Sequence, residues 1–176
     1  MVSATQMSLS AYLDTSFRPD REYIDGELLE RNVGKWEHAR IQWLLAGWFG
    51  SNELEWNVMG STEQRLQVSP NRVRVPDLVV VRPGPQPDIL TQPPLLVIEI
   101  LSPDDTYSDL QKRCQDYLGM GVQTLWIIDP QTRSGRMCFG DEWLAAERLE
   151  VAGTPVYVSL PRLFAQLAAN APVAER

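Results

Sequence analysis

Two aliphatic runs in this chain each enclose one carboxylate, and they constrain the fold more than any other feature. In LLVIEIL, residues 95–101, six of the seven side chains are aliphatic and the seventh is Glu99. In VPDLVVV, residues 75–81, Asp77 follows Pro76 and precedes four aliphatic residues. Near-continuous β-rich runs of this kind belong in a sheet covered on both faces, where little water reaches. A lone carboxylate placed there is costly unless it gains a counter-ion, takes up a proton or binds a metal. The fold must therefore supply two covering layers and an answer to both charges.

The rest of the pattern supplies candidate layers. SLSAYLDT reads as a short opening helix capped by Ser8 or Ser10, and REYIDGELLER as a strand pair turning at Asp25-Gly26. His38, Ile41, Leu45 and Trp48 share one helical face within Lys35–Phe49, with Gly50-Ser51-Asn52 as its stop. ELEWNVMG and EQRLQVS read as strands, Pro70-Asn71 as a turn, and RVRVPDLVVVRP as a strand that Pro76 confines to an edge, a bulge or a start. Five prolines mark residues 83–94 as a surface loop. YSDLQKRCQDYLGMG reads as a helix with a Ser108/Gln111 capping box and Gly119 or Gly121 as its stop. It joins LLVIEIL to QTLWIID, which predicts a parallel strand–helix–strand crossover. RMCF, the region of Trp143 and PVYVSL read as smaller strands, and PRLFAQLAAN as a closing helix. The expectation is one α/β domain over residues 1–176, a mixed β-sheet flanked by helices.

Asp77 and Glu99 stand 22 positions apart, joined by a loop long enough for their strands to lie side by side. With Asp77 opposite Glu99, the carboxylates would converge into a hard oxygen site suited to Mg²⁺ or Mn²⁺. Such an ion could activate a water and stabilise charge developing on a phosphate. The plainer reading has Asp77 ending a strand in water and Glu99 paired with an arginine.

PD at 76–77, then a glutamate within a hydrophobic strand, resembles the PD-(D/E)XK nuclease superfamily. EILSP, DLQKRCQDY and GVQTLWIIDP resemble more closely the Uma-two family of restriction-endonuclease-like proteins. YIDGELLE, His38, VPDLVVV and LPRLF fit the same pattern, so the likeness spans nearly the whole chain. It implies a restriction-endonuclease-like core and Mg²⁺-dependent attack on DNA, with Asp77, Glu99 and the backbone carbonyl of Ile100 as metal ligands.

The superfamily's usual lysine, two residues after the glutamate, is here Leu101. Members of the resembled family place a lysine four residues before a tyrosine on the next helix, and with Tyr117 as that tyrosine the position is Arg113. Leu110, Cys114, Tyr117 and Leu118 define the packed face of this helix. At roughly 100° per residue, Arg113 lies about 60° from Leu110 and Lys112 about 160° away. Arg113 is therefore the candidate third catalytic residue. Lys112 is expected to be a surface ion-pair residue near Asp109 and Asp116 and an accessory at most. Arginine stays charged and makes a poor base, so it would hold phosphate rather than exchange a proton. An Arg113–Glu99 salt bridge in an inactive fold is the competing account. His38, the sole histidine, reads as a hydrogen-bonded core residue, although the resemblance marks it as an accessory. Glu27 could add a third carboxylate, or be an exposed strand-end residue.

Composition limits the partners. A net charge of −7, with 14 arginines and two lysines, lacks the broad basic footprint of a dedicated nucleic-acid binder, but permits a small metal-screened cleft. No apolar stretch is long enough for a transmembrane helix, and no signal peptide is evident. Two cysteines without metal-ligand spacing fit a reduced, cytoplasmic setting. Exposed proline-rich and tryptophan-bearing segments are compatible with a homodimer. The leading expectation is a metal-dependent DNA endonuclease. Its rivals are a catalytically weak or inactive binding module on the same fold and a hydrolase of a smaller phosphate ester.

Overall fold

The aliphatic runs form the centre of a six-stranded mixed sheet in a computed structural model that describes residues 7–31, 35–140 and 142–169. In chain order the elements are α1 (Leu9–Leu13), β1 (Arg21–Ile24), β2 (Glu27–Glu30), α2 (Trp36–Trp56), β3 (Met59–Thr62), β4 (Leu66–Ser69), β5 (Arg72–Arg74) and β6 (Leu78–Val81). There follow β7 (Leu96–Ile100), α3 (Tyr107–Met120), β8 (Leu125–Asp129), β9 (Ser134–Phe139), β10 (Glu142–Ala145), β11 (Arg148–Glu150), β12 (Tyr157–Ser159) and α4 (Leu160–Ala169).

The large sheet runs β10-β9-β8-β7-β6-β3, and its one parallel pair, β7 with β8, is joined through α3. One face packs Leu78, Val80, Ile98, Ile100 and Trp126 against α2 and α4; the other packs Val79, Val97, Leu125 and Ile127 against Leu110, Cys114 and Tyr117 of α3. Both faces of β7 are thus buried, which is why its sequence shows no polar alternation. A second, antiparallel sheet runs β2-β1-β5-β4, and β11 pairs with β12.

Three local expectations require correction. RVRVPDLVVVRP is two strands in different sheets, because Pro76 lacks the amide for a continuous ladder and Pro76-Asp77 forms the crossing between them. The helix expected to stop at Gly50 continues to Trp56, taking in residues 53–56 that read as strand. Ser51 and Asn52 donate back to the carbonyls of Gly47 and Trp48 at 2.8 and 2.7 Å instead of capping, and the helix closes at Asn57 in the left-handed conformation. The cap of α3 is Thr106 rather than Ser108: its Oγ1 accepts from the Asp109 amide at 3.1 Å and donates to the Asp109 carboxylate at 2.6 Å. Gly121 (φ 103°) ends that helix. The predicted turn at Asp25-Gly26 forms with both residues at positive φ, 51° and 98°. The expected end of the closing helix at Asn170 lies outside the described residues.

Candidate active site

The antiparallel register of β6 and β7 pairs Leu78 with Ile98 and Val79 with Val97, so the next step sets Asp77 against Glu99. Each residue is only 2% exposed. The two carboxylates stand at the inner end of a cleft of about 480 Å³, walled by the β1–β2 hairpin on one side and the start of α3 on the other.

Asp77 is held from four directions. Arg31 Nη2 lies 2.7 Å and His38 Nε2 3.3 Å from its Oδ1, the Ile100 amide donates to its Oδ2 at 2.7 Å, and Gln42 donates to its backbone carbonyl at 3.0 Å. Burial alone would raise its pKa, but His38, Arg31 and the Ile100 amide outweigh that and hold it below the ordinary aspartate value. In turn His38 is shifted upward, because the neighbouring Asp77 charge outweighs the cost of burying an imidazolium. His38 thus occupies the inner face of α2, as expected, and also borders the cleft. Arg31, ahead of α2, had no sequence signal marking it as a partner of Asp77.

Glu99 is held differently. Tyr117 donates its hydroxyl to Oε1 at 2.5 Å, while Arg113 Nη1 stands 3.8 Å from Oε2. Burial pushes the Glu99 pKa up to about 7; Asp77 adds to the rise, and Arg113 and Tyr117 only partly oppose it. Tyr117 and Arg113 are four residues apart on α3, which places them on one face. That spacing is legible in the sequence, whereas the reach of the Tyr117 hydroxyl to Glu99 is tertiary. Arg113 also donates to Asp105 at 2.9 Å, and Asp105 accepts from the Ser102 amide at 2.8 Å, tying α3 to the loop after β7.

The remaining candidates divide. Lys112 is exposed at the rim and pairs with Asp109 at 3.4 Å. Asp116, expected near it, is instead clamped by Arg72 at 2.8 Å and Arg74 at 2.7 Å. Glu27 is exposed on the hairpin and does not line the cleft; the acidic residue that β1 contributes is buried Glu22, paired with Arg74 at 2.5 Å. Ile100 reaches Asp77 through its amide nitrogen. Cys114 and Cys138 are free and buried. Among the described residues no helix is long and apolar enough to cross a membrane, and no three His, Cys, Asp or Glu residues converge to hold a metal ion.

A putative nuclease belonging to DUF820 from Anabaena variabilis, known from a crystal structure, shares this fold with a TM-score of 0.79. The two are 24% identical over 92% of this chain and 99% of that one. A DrdV–DNA complex gives a TM-score of 0.42 at 15% identity, over 74% of this chain and 10% of the other. No curated protein matches the sequence. The Uma2 profile, described as "Putative restriction endonuclease", matches residues 12–172, and the chain therefore belongs to the Uma2 family.

Proposed function

We propose that this chain is a divalent-cation-dependent endonuclease that hydrolyses DNA phosphodiester bonds in the cleft above Asp77 and Glu99. The observation that carries this reading is the register of β6 and β7, which sets two buried carboxylates side by side at the end of an open cleft. The donor set fits a hard ion: Mg²⁺ needs only one or two carboxylates and keeps several waters, so a third acidic ligand is not required. Glu99 supports the fit, because its pKa of about 7 marks a buried acid short of compensating positive charge. Bound there with the Ile100 carbonyl, Mg²⁺ or Mn²⁺ would supply charge neutralisation and an activated water.

The chain's own residues do the positioning. Arg113 would turn its fork toward the scissile phosphate, a bidentate contact that a guanidinium makes well. Arg31 and His38 fix the orientation of Asp77, and Tyr117 fixes that of Glu99. Lys112 at the rim would meet the DNA backbone as a mobile point charge.

The second reading is a DNA-binding or assembly module that keeps the fold without the chemistry. Arg113 favours it, being already engaged by Asp105 and Glu99 where the family pattern has a lysine. Incubating plasmid and single-stranded DNA with Mn²⁺ separates the two. Cleavage by the unaltered protein that is lost in Asp77→Asn and Glu99→Gln supports the enzyme. Cleavage seen only in Arg113→Lys supports the module. Hydrolysis confined to small phosphodiesters would shift the substrate to a smaller ester.

A further inference from the structure

We infer that this protein self-associates through the outer face of α2, as an antiparallel two-fold dimer of the whole chain. The inner face of α2 is spent on the core, yet the outer face is not ordinary helix surface. Trp36 and Trp43 are 73% and 71% exposed and Leu54 is fully exposed. With half-buried Arg40 and the exposed Gly47 and Gly50 they recur at steps of four and three residues, and all six fall within about 40° of one line along the helix. This is a continuous seam about 27 Å long, the spacing used by helices that pair side by side.

The two glycines point to a partner. Glycine inside a helix is destabilising relative to alanine, and it is retained where a backbone or ligand comes close. A Cβ built on Gly47 or Gly50 would meet nothing within 4 Å, so no contact within the described chain explains either one. A second copy does. With the two-fold axis at the level of residue 45, Trp43 of each copy lies over Gly47 of the other, Arg40 over Gly50, and Trp36 over Leu54. Bulky residues meet bare backbone at the middle, and apolar residues meet at both ends, as an isologous interface requires. On one flank Lys35 comes within reach of Glu53 of the second copy; the other flank sets Glu37 near Glu55 and carries no attraction. The exposed parts of Trp36, Trp43 and Leu54 amount to about 500 Å² per copy, or about 1,000 Å² for the pair, at the threshold of a specific interface before the flanks are counted.

Sedimentation equilibrium on the full chain from 1 to 100 µM, with Trp43→Glu and Gly47→Met, tests this. The expected result is a species of twice the 19.9 kDa chain mass, with a blue shift of tryptophan emission as concentration rises. Trp43→Glu should weaken association by ~100-fold. Gly47→Met should do the same while its melting temperature stays unchanged or rises, since the new side chain meets no internal neighbour but obstructs Trp43 of the second copy. A monomer at every concentration overturns the inference, as does a dimer that survives both substitutions.

Discussion

Tyr117 donates its hydroxyl to Glu99 across 2.5 Å, from the last turn of α3 to the penultimate residue of β7. Both residues are almost completely buried, so the bond binds the crossover helix to the strand it covers and fixes one oxygen of the candidate site. Tyr117→Phe keeps the ring and removes the donor. A hydrogen bond to a charged partner is worth about 1.5–3 kcal/mol, and urea unfolding at pH 8 should show a loss of that order.

Glu99 makes stability depend on pH. Its folded pKa of about 7 exceeds the ordinary 4.5, so the folded state holds the proton more tightly than the unfolded chain does. The resulting stabilisation is fully present below pH 4.5 and is lost as pH rises through 7. In metal-free protein, Glu99→Gln should abolish this loss and overtake the unaltered chain by on the order of 3 kcal/mol at pH 8, relative to their difference at pH 4.5. Denaturant midpoints across that range check the sign. Added Mg²⁺ should restore the unaltered chain and leave the variant unchanged.

Arg113 and Lys112 are adjacent in sequence and should behave oppositely. Arg113→Ala strips Glu99 and Asp105 of a buried cation and removes the proposed phosphate contact; DNA cleavage with Mn²⁺ should fall by about 10²–10³-fold. Lys112→Ala removes one exposed pair with Asp109 and should leave the melting temperature within experimental error. Its effect should appear only as a weaker salt dependence of DNA binding.

Asp116 carries more of the structure than its surface-helix position suggests. Arg72 and Arg74 both reach it, and Arg74 continues to Glu22, so one chain of charges joins α3 to the hairpin sheet. Asp116→Ala leaves Arg74 buried with one partner fewer, and the expected destabilisation is about 3–5 kcal/mol by thermal or chemical unfolding.

Much of this arrangement was legible in the sequence, for identifiable reasons. The doubly buried strands announced themselves because aliphatic residues fill both faces, and the opposition of Asp77 to Glu99 was one of the arrangements open to two carboxylates placed alike in such runs. Helical spacing separated Arg113 from Lys112. What the sequence hid was tertiary. Arg31 reaches Asp77 over 46 positions and Arg74 reaches Glu22 over 52, and no local pattern encodes either pairing. Gly50-Ser51-Asn52 looked like a stop because those residues favour caps and turns, yet the inner apolar stripe runs on to Trp56 and packing decided the matter. Glu27 and Glu22 are both acids of the same hairpin, and only the pairing of β1 with β5 brings Glu22 beside Arg74.

In the proposed enzyme, Asp77 and Glu99 together hold a divalent cation. Isothermal titration of Mn²⁺ into the unaltered protein at pH 8, beside Asp77→Asn and Glu99→Gln with circular dichroism confirming their folds, tests it most directly. The expected result is saturable binding by the unaltered chain and its loss in both variants. No binding by the unaltered protein, or equal binding by all three, would contradict it.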